Sequence, residues 1–240
     1  MALILNIETS TAVCSAALTD GDEILFEQHS FEGPSHASLL GVYVEKAMQW
    51  TKEQGRRIEA VAVSSGPGSY TGLRIGVSVA KGLCFGAGIP LISVPTLSLL
   101  AATALRKMNG ATDYRYCAMI DARRMEVYAA LFDASLQPVR TAMADVVDAQ
   151  TYANYLSEGK VCFFGDGAAK CQSVITDTNA YFLPDIYPLA AEMASLSAQA
   201  FAEKRFEDVA YFEPFYLKEF QATIAKNKVL GVALKEGMAD

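Results

Sequence analysis

Four groups of residues in this sequence are of types that could do chemistry. The first is a glycine-rich stretch, SSGPGSYTGLRIG from Ser64 to Gly76, whose glycines let backbone N–H groups turn outward just ahead of a helix. Such a loop can hold an anion, because a helix start presents unpaired N–H groups and partial positive charge. It is not a Walker loop: no Gly-Lys-Ser/Thr is present, and Arg74 falls within the helix instead of at the loop tip. A tight strand-to-helix turn explains the same glycines, and both readings stand at this level. The second group is the acid pair Glu8 and Asp121, each closing an apolar run. Two carboxylates across a cleft suit magnesium with a nucleotide, and each equally suits a turn between strands. The third is the hydroxyls of Ser10 and Ser69, which need a neighbouring base, in a chain with 2 histidines. The fourth is that histidine pair, His29 and His36, separated by Gly33-Pro34. One helix cannot present both imidazoles to one ion, so no metal site and no cofactor is expected.

These residues need elements to hold them. Ile4–Asp20 reads as an apolar run, a Ser/Thr turn and a second apolar run, and EILFEQHSF continues with a third strand after Asp20-Gly21-Asp22. From His36 to about Lys52 the spacing becomes helical, with Leu39, Leu40, Tyr43, Ala47 and Trp50 on one face and Pro34-Ser35 as a start signal. A short buried strand over Ala60–Ser64 feeds the glycine loop, and a second helix follows from about Thr71 to Phe85, ended by Gly86, Gly88 and Pro90. LISV is a strand, and Pro95-Thr96 opens a third helix to about Lys107.

The second half begins like the first. CAMIDARRMEVYAALFD, from Cys117, can be laid on the opening segment without a gap, placing Asp121 on Glu8, Leu131 on Leu18 and Asp133 on Asp20. VCFFGDGAA, from Val161, repeats the apolar run and Gly-x-Gly turn of VAVSSGPGS, setting Gly165 and Gly167 beside Gly66 and Gly68 as related turns. Two matches in the same order predict a duplicated strand-strand-strand-helix-strand-helix unit. This resembles the α/β architecture of actin-like ATPases (ASKHA, RNase H-like), two duplicated lobes of mixed sheet with flanking helices. The expected boundaries are 1–108 and 109–204 for the lobes and 205–240 for an extension packing back on the first. In that architecture Glu8, Gly66, Gly68, Asp121, Gly165 and Gly167 would surround a vestigial nucleotide cleft.

Composition limits the partners. Net charge is -7 over 240 residues, so a polyanion meets repulsion over most of the surface, and no run of Lys or Arg interleaved with aromatics offsets it. Any nucleic acid would be held indirectly. Five scattered cysteines without a Cys-x-x-Cys pair suit buried thiols in a reducing cytoplasm. No apolar stretch has membrane-spanning length, so no membrane partner is expected.

Several motifs in register carry a more specific likeness. ILNIETST, SSGPGSYTGLRIGVSVAKGL, DARRMEVYAALFD, the Gly165-Asp166-Gly167 turn and EPFYL (Glu213–Leu217) resemble the bacterial TsaB (YeaZ) family over Met1 to about Leu217. The resemblance implies a non-catalytic partner subunit in the making of threonylcarbamoyladenosine in tRNA. It implies a heterodimer with TsaD, the catalytic paralogue, and TsaE, an ATPase, as third partner. The catalytic paralogue is similar in fold but needs a His-x-x-x-His pair that this sequence lacks. An actin-fold small-molecule kinase and a metal-dependent, glycoprotease-like hydrolase are the alternatives.

The second helix is apolar nearly all round. Leu73, Val77 and Leu83 suit a face against a sheet, while Ile75 and Val79 point elsewhere. Gly72, Gly76 and Ala80 recur at four-residue spacing, a small-residue stripe that would let another helix approach closely. With Leu39, Leu40, Tyr43 and Ala47 of the first helix, these residues predict a helical interface, used by a homodimer in isolation and by TsaD in the cell; two helices sandwiched within the lobe would carry the same pattern.

Overall fold

In the computed structural model, which describes residues 2–33 and 36–218, the chain forms two five-stranded sheets with helices against their faces. The elements of the first are β1 (Leu3–Glu8), β2 (Cys14–Asp20), β3 (Glu23–Ser30), α1 (His36–Glu53), β4 (Ala60–Gly66), α2 (Tyr70–Ala87) and β5 (Leu91–Pro95). α3 (Thr96–Lys107) links to β6 (Tyr114–Asp121), β7 (Glu126–Phe132), β8 (Pro138–Val146), α4 (Ala153–Glu158), β9 (Lys160–Phe164), α5 (Ala168–Cys171) and β10 (Ala180–Phe182). A 3-10 turn, Ala190–Met193, leads into α6 (Ala194–Ala202). Pro34-Ser35, the expected start signal of α1, and the segment beyond Lys218 lie outside the described residues.

β1 is central and buried along its whole length, which is why its sequence is an apolar run instead of an alternation. It pairs antiparallel with β2 and parallel with β4, giving the order β3-β2-β1-β4-β5. The second sheet runs β8-β7-β6-β9-β10, the same order with each strand replaced by its counterpart. The duplication is therefore in the topology. The gapless alignment needs one correction. Glu8 pairs with Ser15, but Asp121 pairs with Val127, so the second hairpin is a residue shorter. Leu18, opposite Leu5, then corresponds to Ala130 and not Leu131; Asp20, opposite Leu3, corresponds to Phe132 and not Asp133.

The copies have diverged most in their helices. α1 and α2 have 18 residues each, whereas α4 and α5 in the same places have 6 and 4. The two longest helices among the described residues, α1 and α2, thus both lie in the first half.

The halves also exchange packing. α3, within 1–108, puts Leu97, Leu100, Ala101 and Ala104 into the core of the second sheet with Tyr116, Ala118 and Ile120. Met193 and Ala200, within 109–204, pack on the first sheet with Ile4, Ala62 and Ile92, joined by Leu99 from the other side of α3. Ala190 N donates to the buried Ser15 Oγ at 2.9 Å. Each sheet is covered partly by the other half's helix, so the apolar faces are closed only when both halves are folded.

Candidate functional site

The cleft between the sheets has a volume of about 670 Å³ and is lined by the start of α2, the β6–β7 hairpin and residues 215–218. Ser69 caps α2, its Oγ accepting from Gly72 N at 3.3 Å, and Gly68 is pressed so closely on Ser10 that a Cβ there would stand 2.2 Å from the Ser10 carbonyl oxygen. The glycines of this turn are therefore required by close backbone approach. Gly66, at φ +106°, is closed over by the chain itself: Phe215 N donates to Ser65 O at 2.7 Å.

The two acids predicted to face each other do not share an environment. Glu8 is fully buried, its Oε1 accepting from Ser10 N at 2.5 Å and its Oε2 without a hydrogen-bond partner. Burial pushes its carboxyl up to about 7, opposed by the neighbouring Ser10 and Ser64 and by nearby backbone N–H groups, which favour ionisation. Asp121 lines the cleft, and its carboxylate is engaged by Lys170 Nζ and by Arg123 N at 3.0 Å. A magnesium–nucleotide complex does not fit this pair: one carboxyl is sealed behind the turn and the other is neutralised by a lysine. Gly165 and Gly167 likewise pack beneath Met119 and Ile120 instead of opening on the cleft. β9 has 5 residues where β4 has 7, so its glycine turn closes before the end of β6, while that of β4 passes the end of β1.

Nucleophiles and metal ligands are placed as structural groups. His36 is buried at the start of α1 with Nε2 3.1 Å from Val13 O, and His29 lies on β3 beside Glu27. Ser10 Oγ is buried without a partner. All five cysteines are free and buried, and burial pushes the Cys14 and Cys84 thiols up to about 11, which removes the reactive thiolate. Among the described residues no three His, Cys, Asp or Glu side chains are grouped to hold a metal, and no helix is long and apolar enough to cross a membrane.

The predicted helical interface needs a larger correction. Gly72, Gly76 and Ala80 are buried against the chain's own sheet, and so are Leu40, Tyr43 and Ala47 of α1. The small-residue stripe exists because α2 lies on the turn after β1: a Cβ on Gly72 would stand 2.0 Å from Thr9 O, and one on Gly76 2.3 Å from Thr9 Oγ1. Leu39, Ile75, Val79 and Leu83 are only half-buried at the margin of that core. Beside them α2 presents Ser78, Gly82 and Phe85 to solvent, Phe85 at 85% exposure, and α1 presents Val42 and Met48.

Sequence reasoning did not place Phe85 on the open face, or Asp166, Tyr216, Leu217 and Lys218 in the cleft. Asp166 stands between two turn glycines, a signal in itself; its Oδ1 accepts from Asp121 N at 2.9 Å, and desolvation raises its carboxyl above the usual range. Nothing local marks Tyr216 and Lys218 as cleft residues, because only long-range packing brings them there.

Two sheets of one strand order around a glycine-lined cleft define a protein of the actin-like ATPase fold. The family model described as TsaD, tRNA N6-adenosine threonylcarbamoyltransferase, matches residues 32–226. The tRNA threonylcarbamoyladenosine biosynthesis protein TsaB of Escherichia coli K12 is 32% identical over 230 residues, covering 90% of this chain and 94% of that protein. The protein of the same name from Haemophilus influenzae is 27% identical over 226 residues, with 90% and 93% covered. The structure of YeaZ from Pseudomonas aeruginosa superposes with a TM-score of 0.75 at 27% identity, covering 90% of this chain and 100% of that one. The chain belongs to the TsaD family and, within it, to the TsaB (YeaZ) group.

Proposed function

We propose that this chain is a non-catalytic subunit in the threonylcarbamoylation of tRNA adenosine, acting in the cytoplasm by binding TsaD. The names of its relatives place them in threonylcarbamoyladenosine biosynthesis. The observation that carries the non-catalytic reading is the state of the two acids. Glu8 is sealed beneath Ser10 and Asp121 is held by Lys170, so the groups that could bind a cation in this fold are spent on the chain itself. The outer face of α2, a half-buried apolar row flanked by Gly82 and Phe85, is the surface that supports a helical partner. The same face would serve a homodimer in isolation, and TsaE would join the heterodimer as a third component. With net charge -7, tRNA is held through TsaD instead of directly.

Co-purification with TsaD tests this. Wild-type protein should retain TsaD, and Gly82→Glu or Phe85→Glu, both at fully open positions, should lose it while keeping the wild-type circular dichroism. Retention of TsaD by both variants would remove the α2 face from the proposal. Magnesium-dependent ATP turnover by the purified chain alone would end the non-catalytic reading.

A further inference from the structure

The stretch after α6 makes a series of contacts that the partner role does not need. Glu207 N donates to Leu91 O at 2.9 Å, adding an antiparallel bridge to the edge strand β5, and Ser93 Oγ donates to the Glu207 carboxylate at 2.5 Å. Lys81 of α2 then donates to the carbonyls of Ala210 and Phe212 at 3.1 and 3.0 Å, and Val209 and Phe212 pack on the first core. Phe215 is hydrogen-bonded to Ser65 O, and its carbonyl lies 2.6 Å from where a Cβ on Gly66 would stand. Tyr216 meets the Tyr70 ring at 4.8 Å between centroids. Finally Lys218 Nζ pairs with Glu126, the first residue of β7 in the other sheet.

We propose that residues 207–218 form a self-supplied clamp, anchored along the first sheet and latched to the second by Lys218–Glu126, that fixes the width of the cleft. The exchanged helices α3 and α6 join the halves through their cores, and residues 215–218 line the opening between the start of α2 and the β6–β7 hairpin. Here the main chain is seated on the glycine turn of the first sheet, and the Lys218 side chain completes the bridge to the second. The latch is its weakest point: Lys218 is 44% exposed and Glu126 20%, so the pair is screened by salt, whereas the Phe215 and Glu207 contacts are backbone hydrogen bonds. Release should therefore start at Lys218 and travel back toward Phe215.

Amide hydrogen exchange on the full-length protein tests the clamp, comparing wild type, Lys218→Glu, Glu126→Lys and the double charge swap. Either single variant should speed exchange at Tyr216, Leu217 and Phe215 by about threefold, the scale of a partly exposed ion pair, and the swap should restore it. Raising salt should speed exchange at these amides in wild type and leave Lys218→Glu unchanged. Exchange at Glu207, anchored on β5, should not move in any variant. Wild-type exchange of Phe215 at the free-chain rate, no change in the single variants, or a swap that fails to restore protection would each overturn the proposal.

Discussion

The carbonyl oxygen of Thr9 lies 2.0 Å from the position a Cβ would take on Gly72, while Thr9 Oγ1 donates to Gly72 O at 2.8 Å. The turn that leaves β1 and the first turn of α2 are in backbone contact, and only glycine permits it. Gly72→Ala must push the helix off the turn and break that hydrogen bond, costing about 3 kcal/mol or more. Gly82, in the same helix, has nothing within 4 Å of its Cβ position, so Gly82→Ala should stabilise by up to about 1 kcal/mol through helix propensity alone. Thermal melts of the two variants should shift in opposite directions; equal shifts would mean that the Thr9 contact is not tight.

The same geometry changes what a charge on the small-residue stripe does. Gly76→Glu would be expected from the sequence to block a partner and spare the fold, but Gly76 faces Thr9 Oγ1, so the variant should fail to fold. Gly82→Glu should instead fold normally and act only on association. Circular dichroism and light scattering on both proteins separate these outcomes, and a folded, monodisperse Gly76→Glu protein would contradict the packing described.

Glu8 makes stability depend on pH. Its folded pKa is raised from 4.5 to about 7, so the folded state holds a proton that the unfolded state releases. The stabilisation is fully present below the unfolded value and is lost as pH rises through the window from 4.5 to about 7, about 3 kcal/mol at the extreme. Glu8→Gln keeps an acceptor for Ser10 N and carries no charge, so it should remove this slope and be more stable than wild type at pH 8. Parallel slopes for the two proteins between pH 5 and pH 8 would show that Glu8 is not the group responsible.

Beneath the second sheet, Arg140 grips Asp145 with both terminal nitrogens, at 3.2 and 2.5 Å, and Tyr152 Oη donates to the same carboxylate at 2.7 Å. Asp145 is only 9% exposed, so Asp145→Ala strands a buried guanidinium and should cost about 3 kcal/mol or more, while Tyr152→Phe should cost about 1 kcal/mol. Neutralising the open pair Asp113–Lys160 with Asp113→Asn should leave the melting temperature unchanged. Denaturant titrations of the three variants give the ranking directly; a mild Asp145→Ala phenotype would show that water reaches Arg140.

Much of the fold was legible because its signals are local. β1 and β4 are apolar runs of strand length, α1 and α3 have helical spacing, and the glycine turn separates β4 from α2. The alignment of Glu8 with Asp121 survives because both end the central strand of their sheets. What failed was direction. A stripe of Gly72, Gly76 and Ala80 allows close approach by any backbone, and the sequence does not say whether that backbone belongs to a partner or to Thr9.

The sequence alone determined the strand and helix types of the first half, the repeat of that half in the second, and the likeness to TsaB, since periodicity, turn residues and motif order are properties of neighbouring positions. Tertiary structure alone decided that α3 and α6 cross between the halves, that Glu8 is sealed while Asp121 is exposed, and that Phe215 lies on Gly66. Those facts depend on which apolar faces meet and on how many residues each turn spans, down to the single residue missing from the second hairpin. Contacts between distant segments are settled by the sum of burial over the whole chain, and no local pattern carries that sum.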